Sequence, residues 1–140
     1  MDVWSLKMRK AACVYHNIIE FKDKFDTLLG ERGVNLSGGQ KQRVSIARAL
    51  IRKPEILILD DCLSAVDTET EEAILTNFNE MKTVTTLIVS HRVSSIRNAT
   101  QIINLSEGTI TEKGTHEELL ALNGMYKELY EKQLAEEAES

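Results

Sequence analysis

The sequence has no apolar run longer than a few residues, and a membrane-crossing helix needs about 20. That excludes a transmembrane span. It does not begin with the charged and then apolar stretch that directs secretion. Its two cysteines, Cys13 and Cys62, lie far apart and have no metal-ligand spacing, so they are expected to be reduced cytosolic thiols rather than a disulfide. Basic residues are in deficit: 17 Lys and Arg against 22 Asp and Glu give a formal charge of -5 and a pI near 5.3. This argues against nucleic acid as a partner, because sequence-independent affinity for it depends on Lys and Arg neutralising phosphates. No internal repeat or low-complexity tract is visible. What remains is a 140-residue chain, 42% hydrophobic, long enough for one globular domain with a real core.

Trp4, Met8, Ala11, Tyr15 and Ile18 recur at helical steps, which predicts one packed helix from Asp2 to Glu20. Gly30-Glu31-Arg32-Gly33 reads as a loop. A helix is expected to run to Arg52, with Val44, Ala47, Leu50 and Ile51 as its buried stripe, and Pro54 ends it. Ile56-Leu57-Ile58-Leu59 has the unbroken apolarity of a strand covered on both faces in a parallel sheet. Asp67 or Thr68 begins another helix, with Ile74, Phe78 and Met81 facing inward. Strands follow at Thr85 to Ser90 and Gln101 to Leu105, and Glu107-Gly108 turns the chain toward Thr109 to Glu112. Thr115 and Glu118 have capping-box spacing for a helix through Leu122, and Gly124 precedes a last helix bearing Met125, Leu129 and Leu134. Strands alternating with helices predict an α/β fold with a mainly parallel sheet flanked by helices.

Two stretches carry chemistry. Leu36-Ser37-Gly38-Gly39-Gln40 leads directly into a helix, where two glycines admit another molecule's charged groups and the helix N-terminus offers N–H donors to phosphate. Ser-Gly-Gly is also ordinary turn chemistry. The apolar strand ending in Asp60-Asp61 places carboxylates at the C-terminal tip of a parallel strand, where open α/β sheets bind ligands, and His91 ends the next strand. One carboxylate suits Mg²⁺ and the next suits orienting or deprotonating a water. Taken singly, such residues are also solvated strand ends or structural histidines.

Together with Gln42-Arg43, Ala47-Arg48-Ala49-Leu50 and Ser64-Ala65-Val66-Asp67, in this order and spacing, the chain resembles an ATP-binding cassette (ABC) ATPase over essentially its whole length. The resemblance implies a partial P-loop NTPase fold. Residues 1–52 would be part of the helical subdomain, 53–124 the core and 125–140 a C-terminal helix. It implies ATP and Mg²⁺ as ligands, Leu36 to Gln40 as the signature sequence, Asp60 as the metal acid, and Asp61 as the catalytic carboxylate. Ser64 to Asp67 would be the D-loop, and His91 the switch histidine at the γ-phosphate. Gly30 to Gly33, within Thr27 to Gly33, is similar to the exporter loop that touches the transmembrane domains, although Leu28 stands where an acid is usual. Gly114-Thr115-His116-Glu117-Glu118-Leu119 and Gly124-Met125-Tyr126 resemble the exporter ending. A place on the cytoplasmic face of the cell membrane is therefore expected.

Two departures qualify the resemblance. The acid after Asp60 is normally glutamate, and here it is Asp61, so the chain's own site is expected to be degenerate. In the family, cassettes pair head-to-tail and each signature completes the other's site, which points to a heterodimeric exporter. No Gly-x-x-x-x-Gly-Lys-Ser/Thr occurs, so the chain corresponds to the C-terminal part of a cassette and is expected to be inactive alone. Missing strands would leave apolar sheet surface uncovered and favour self-association. The alternative is a non-catalytic module that supplies a signature surface to a separate cassette. An in-frame phosphate loop or a stop codon upstream of Met1 separates the two readings.

Overall fold

The structure, a computed structural model, describes residues 10–28, 36–81 and 83–139. Trp4, Met8 and the Gly30 to Gly33 loop lie outside them. The chain divides into two compact units, Met1–Val89 and Ser90–Ser140.

In the first unit, α1 (Tyr15–Ile19) and a short 3-10 turn (Lys24–Asp26) precede α2 (Gly38–Ile51), β1 (Ile56–Asp60), α3 (Thr68–Asn79) and β2 (Thr85–Val89). The continuous helix expected to Glu20 is broken at Cys13, which has φ 52°. Tertiary bonds override the local preference: Arg43 Nη1 donates to the Cys13 carbonyl at 2.8 Å, and Asn77 Nδ2 donates to that of Ala11 at 3.2 Å. Both carbonyls are thereby tied to other helices.

β1 and β2 pair in parallel, with Ile56 opposite Thr85 and Asp60 opposite Val89, so their C-terminal tips are adjacent. Leu57 and Leu59 enter a core with Ile46 and Leu50 of α2 and Ile74 and Phe78 of α3. Ile46, not Ile51, completes the α2 stripe. Ile51 is the last helical residue and is 44% exposed, lining an apolar hollow with Val14, Ile18, Phe21 and Val44. The expectation that β1 is covered on both faces also fails among the described residues. Ile56, Ile58, Leu87 and Val89 are 61, 66, 52 and 55% exposed, because the core side chains cover only the opposite face.

The second unit holds α4 (Val93–Ile96), β3 (Ile102–Ser106), β4 (Thr109–Gly114), α5 (His116–Leu122) and α6 (Met125–Ala138). β3 and β4 form an antiparallel hairpin, and Glu107 and Gly108 both take positive φ at the turn, 49° and 76°, as a two-residue hairpin loop demands. Thr115 and Glu118 form the reciprocal capping box at the start of α5. Val93, Ile102, Leu119 and Tyr126 make this unit's core, whereas Met125, Leu129 and Leu134 of α6 are exposed.

Candidate functional site

The pentapeptide stands where its sequence placed it, at the start of α2. Ser37 is the N-cap: its Oγ accepts from the Gln40 N–H at 3.2 Å, while Gln40 Oε1 accepts from the Ser37 N–H at 3.0 Å. A helix begins with four N–H groups that have no intrahelical acceptor, and this box takes two of them. The other two belong to Gly38 and Gly39. They are the donors a phosphate would meet at the positive end of a 14-residue helix.

Gly39 has a second reason to be glycine. It is buried, and a Cβ there would lie 2.5 Å from the carbonyl oxygen of Ala65; one on Gly38 would lie 3.2 Å from the Ala65 Cβ. The start of α2 is therefore packed against the segment that follows Asp61. Gln42, one turn further on, completes the attachment. Its Nε2 donates to the Asp61 carbonyl at 3.2 Å and to Ser64 Oγ at 3.0 Å, and its Oε1 accepts from the Ala65 N–H at 3.0 Å. Ser64 Oγ itself donates to the Asp61 carbonyl at 3.1 Å. The Asp61 N–H extends the sheet ladder by donating to Val89 O at 3.0 Å.

Asp61 is thus held by its backbone on both sides, in a left-handed conformation with φ 48°, while its side chain is exposed. Asp60 is exposed beside it at the strand end. No group of three or more His, Cys, Asp or Glu among the described residues could hold a metal. Two carboxylates at a strand tip suit a hard ion that takes one or two protein oxygens and fills its shell with water and phosphate oxygens, which is Mg²⁺ behaviour.

Asp67, the last residue of the Ser64–Asp67 stretch, caps α3: its Oδ1 accepts from the Thr70 N–H at 2.9 Å. Of the two candidate starts it is Asp67, not Thr68, that serves. Bonds from Thr70, and more weakly the Arg43 charge, hold its carboxyl below the ordinary carboxylate range. A lowered folded pKa means that the cap contributes fully above the ordinary carboxylate range and loses that contribution as pH falls through the lower folded value. We expect the melting temperature of Asp67→Ala to lie below wild type at neutral pH. The gap should narrow as pH falls below the ordinary carboxylate range, and a gap of constant size would contradict the assignment.

His91 is exposed in the second unit, two residues beyond β2. The Ser90 Oγ accepts from the Arg92 N–H at 3.0 Å, and Gln133 of α6 bonds the turn from outside. The first unit therefore brings the pentapeptide, Asp60, Asp61, Ser64 and Asp67 onto elements that share hydrogen bonds or a core.

The ABC transporter family profile matches residues 2–64. A bacterial Atm1-family ABC exporter solved with ATP bound superposes with a TM-score of 0.85 and 37% identity, covering 94% of this chain and 23% of its own. The chain belongs to the ABC family. The uncharacterized ABC transporter ATP-binding protein YknU of Bacillus subtilis (strain 168) is 50% identical over 129 residues, 91% of this chain and 22% of YknU. From the same organism, the "Probable multidrug resistance ABC transporter ATP-binding/permease protein YheI" is 59% identical over 109 residues, 77% of this chain and 19% of YheI. The chain thus spans about a fifth of the length of these two relatives. Within this ABC segment, the roles of Gln42 and Gln133 were not evident from sequence. A half-buried glutamine between the apolar positions of α2 was a usable signal for the first. The second left none, because it lies 42 residues from the group it bonds.

Proposed function

We propose that the chain is a segment of the ATP-binding, ATP-hydrolysing module of an ABC exporter, with a degenerate site of its own and an intact signature that it offers to another cassette. The observation that carries this reading is the joint anchoring of the α2 N-terminus and the Asp61 turn through Gln42 and Gly39. The phosphate-facing amides and the acid-bearing strand tip belong to one hydrogen-bonded body. Packing them head-to-tail with a second cassette would let this chain's Gly38 and Gly39 meet the γ-phosphate of ATP held mainly by the partner.

In the chain's own site, Asp60 would hold Mg²⁺ and Asp61 would orient the attacking water and accept its proton. His91 would contact the γ-phosphate and that water. When bound, Mg²⁺ supplies neutralisation of charge on the phosphate oxygens. Asp61 is one methylene short of glutamate, so the carboxylate would stand off from the water and turnover would be slow. The partner is accordingly a second, different cassette, and the Gly30 to Gly33 loop would meet the exporter's transmembrane domains on the cytoplasmic face of the membrane. Among the described residues, no helix is long and apolar enough to cross a membrane.

The 140-residue chain contains no phosphate-loop motif, so most contacts to the β- and γ-phosphates are missing from it. Titration of the isolated chain with a fluorescent ATP analogue is expected to show no micromolar binding and no phosphate release above background. Micromolar affinity would contradict the proposal.

A further inference from the structure

Gln133 on α6 reaches the His91 turn with both ends of its side-chain amide. Its Nε2 donates to the His91 carbonyl at 2.6 Å, and its Oε1 accepts from the Val93 N–H at 2.8 Å. Val93 is the first residue of α4, whose N-cap, Arg92, makes no side-chain capping bond. A first-turn amide of α4 is therefore satisfied from another helix. Val93 itself is buried with Ile102, Leu119 and Tyr126. Val93 is thus fixed by the core on one side and by Gln133 on the other, and the same amide holds the His91 carbonyl. His91 projects from this clamp into solvent.

We propose that Gln133 is a positioning residue for His91, setting the direction of the imidazole through the main-chain atoms on either side of Arg92. This rests on the reading of His91 as the residue that meets the γ-phosphate. An amide side chain suits the task because it donates and accepts at once, matching a carbonyl and an N–H two residues apart. A consequence is that any movement of α6 along or about its axis is carried directly to His91. The C-terminal helix then becomes an input to His91.

The test uses the whole chain and no nucleotide, so it can fail independently of the assigned function. Hydrogen exchange and the ring cross-peaks of the three histidines are followed by NMR in wild type, Gln133→Ala and Gln133→Glu. In Gln133→Ala, the Val93 amide should exchange about tenfold faster, the scale of one lost hydrogen bond. The His91 ring cross-peaks should move while those of His116 stay in place. Gln133→Glu keeps an acceptor for Val93 but loses the donor to His91, so it should keep the Val93 protection and still move His91. Unmoved His91 cross-peaks in both variants overturn the proposal. Should Gln133→Ala not fold, unmoved His91 cross-peaks in Gln133→Glu alone do so. Whether His91 serves hydrolysis is read separately, from phosphate release by His91→Ala in a full-length exporter carrying this segment.

Discussion

Gly39→Ala is expected to destabilise the first unit by about 1–3 kcal/mol, the range for forcing an extra carbon into a packed interior. The added Cβ would meet the Ala65 carbonyl oxygen at 2.5 Å, the Ala65 carbonyl carbon at 3.3 Å and the Val66 Cα at 3.5 Å. All three are backbone atoms, so no side-chain rotation relieves the clash. Helix propensity opposes the loss, since alanine is better than glycine in a helix by about 1 kcal/mol. The clash wins because the segment it would displace is pinned by Gln42 at Asp61, Ser64 and Ala65. Gly38→Ala is the control. Its Cβ meets only the Ala65 side chain, at 3.2 Å, so propensity and crowding should nearly cancel. Urea denaturation of both variants checks the prediction. Equal stability of the two would mean that Gly39 is there for the ligand alone.

This result matters for how the pentapeptide is understood. From sequence, both glycines serve the approach of a phosphate; in the structure they divide the work, Gly38 lying exposed and Gly39 filling the joint with Ala65. The sequence pattern was sufficient where a residue's role is local. The Ser37–Gln40 and Thr115–Glu118 boxes, the strand from Ile56 and the Glu107-Gly108 turn depend on spacings of a few residues, and local chemistry decides them. It fell short where distant groups compete. Nothing around Cys13 announces that Arg43 and Asn77 will tie up the carbonyls of its helix. An apolar run such as Ile56 to Leu59 says that both faces are apolar, not that both are covered. The exposed face is legible only once the strands are paired and the core is assigned. The same limit hides Gln133, whose value lies in a hydrogen-bond geometry and not in a periodicity.

Asp61→Glu should raise ATP hydrolysis about a hundredfold in a full-length exporter carrying this segment with its purified partner, the cost assigned to a reacting group misplaced by about 1 Å. The structure supplies the reason to expect a clean effect. The Asp61 carbonyl is bonded by Gln42 and Ser64, its N–H is bonded to Val89, and its carboxylate is exposed, so the substitution changes the reach of the acid and little else. The left-handed backbone at φ 48° works against it, because a short side chain tolerates that region better than a long one. Three hydrogen bonds on the backbone atoms oppose any relaxation, which keeps the penalty in stability and out of geometry. Phosphate release measured at saturating ATP reads kcat apart from nucleotide binding, and KM should change little, since Asp61 is proposed to act on water and not on nucleotide binding. A gain confined to KM would assign Asp61 to binding. No gain at all, with a partner shown to be competent, would remove the short acid as the cause of degeneracy.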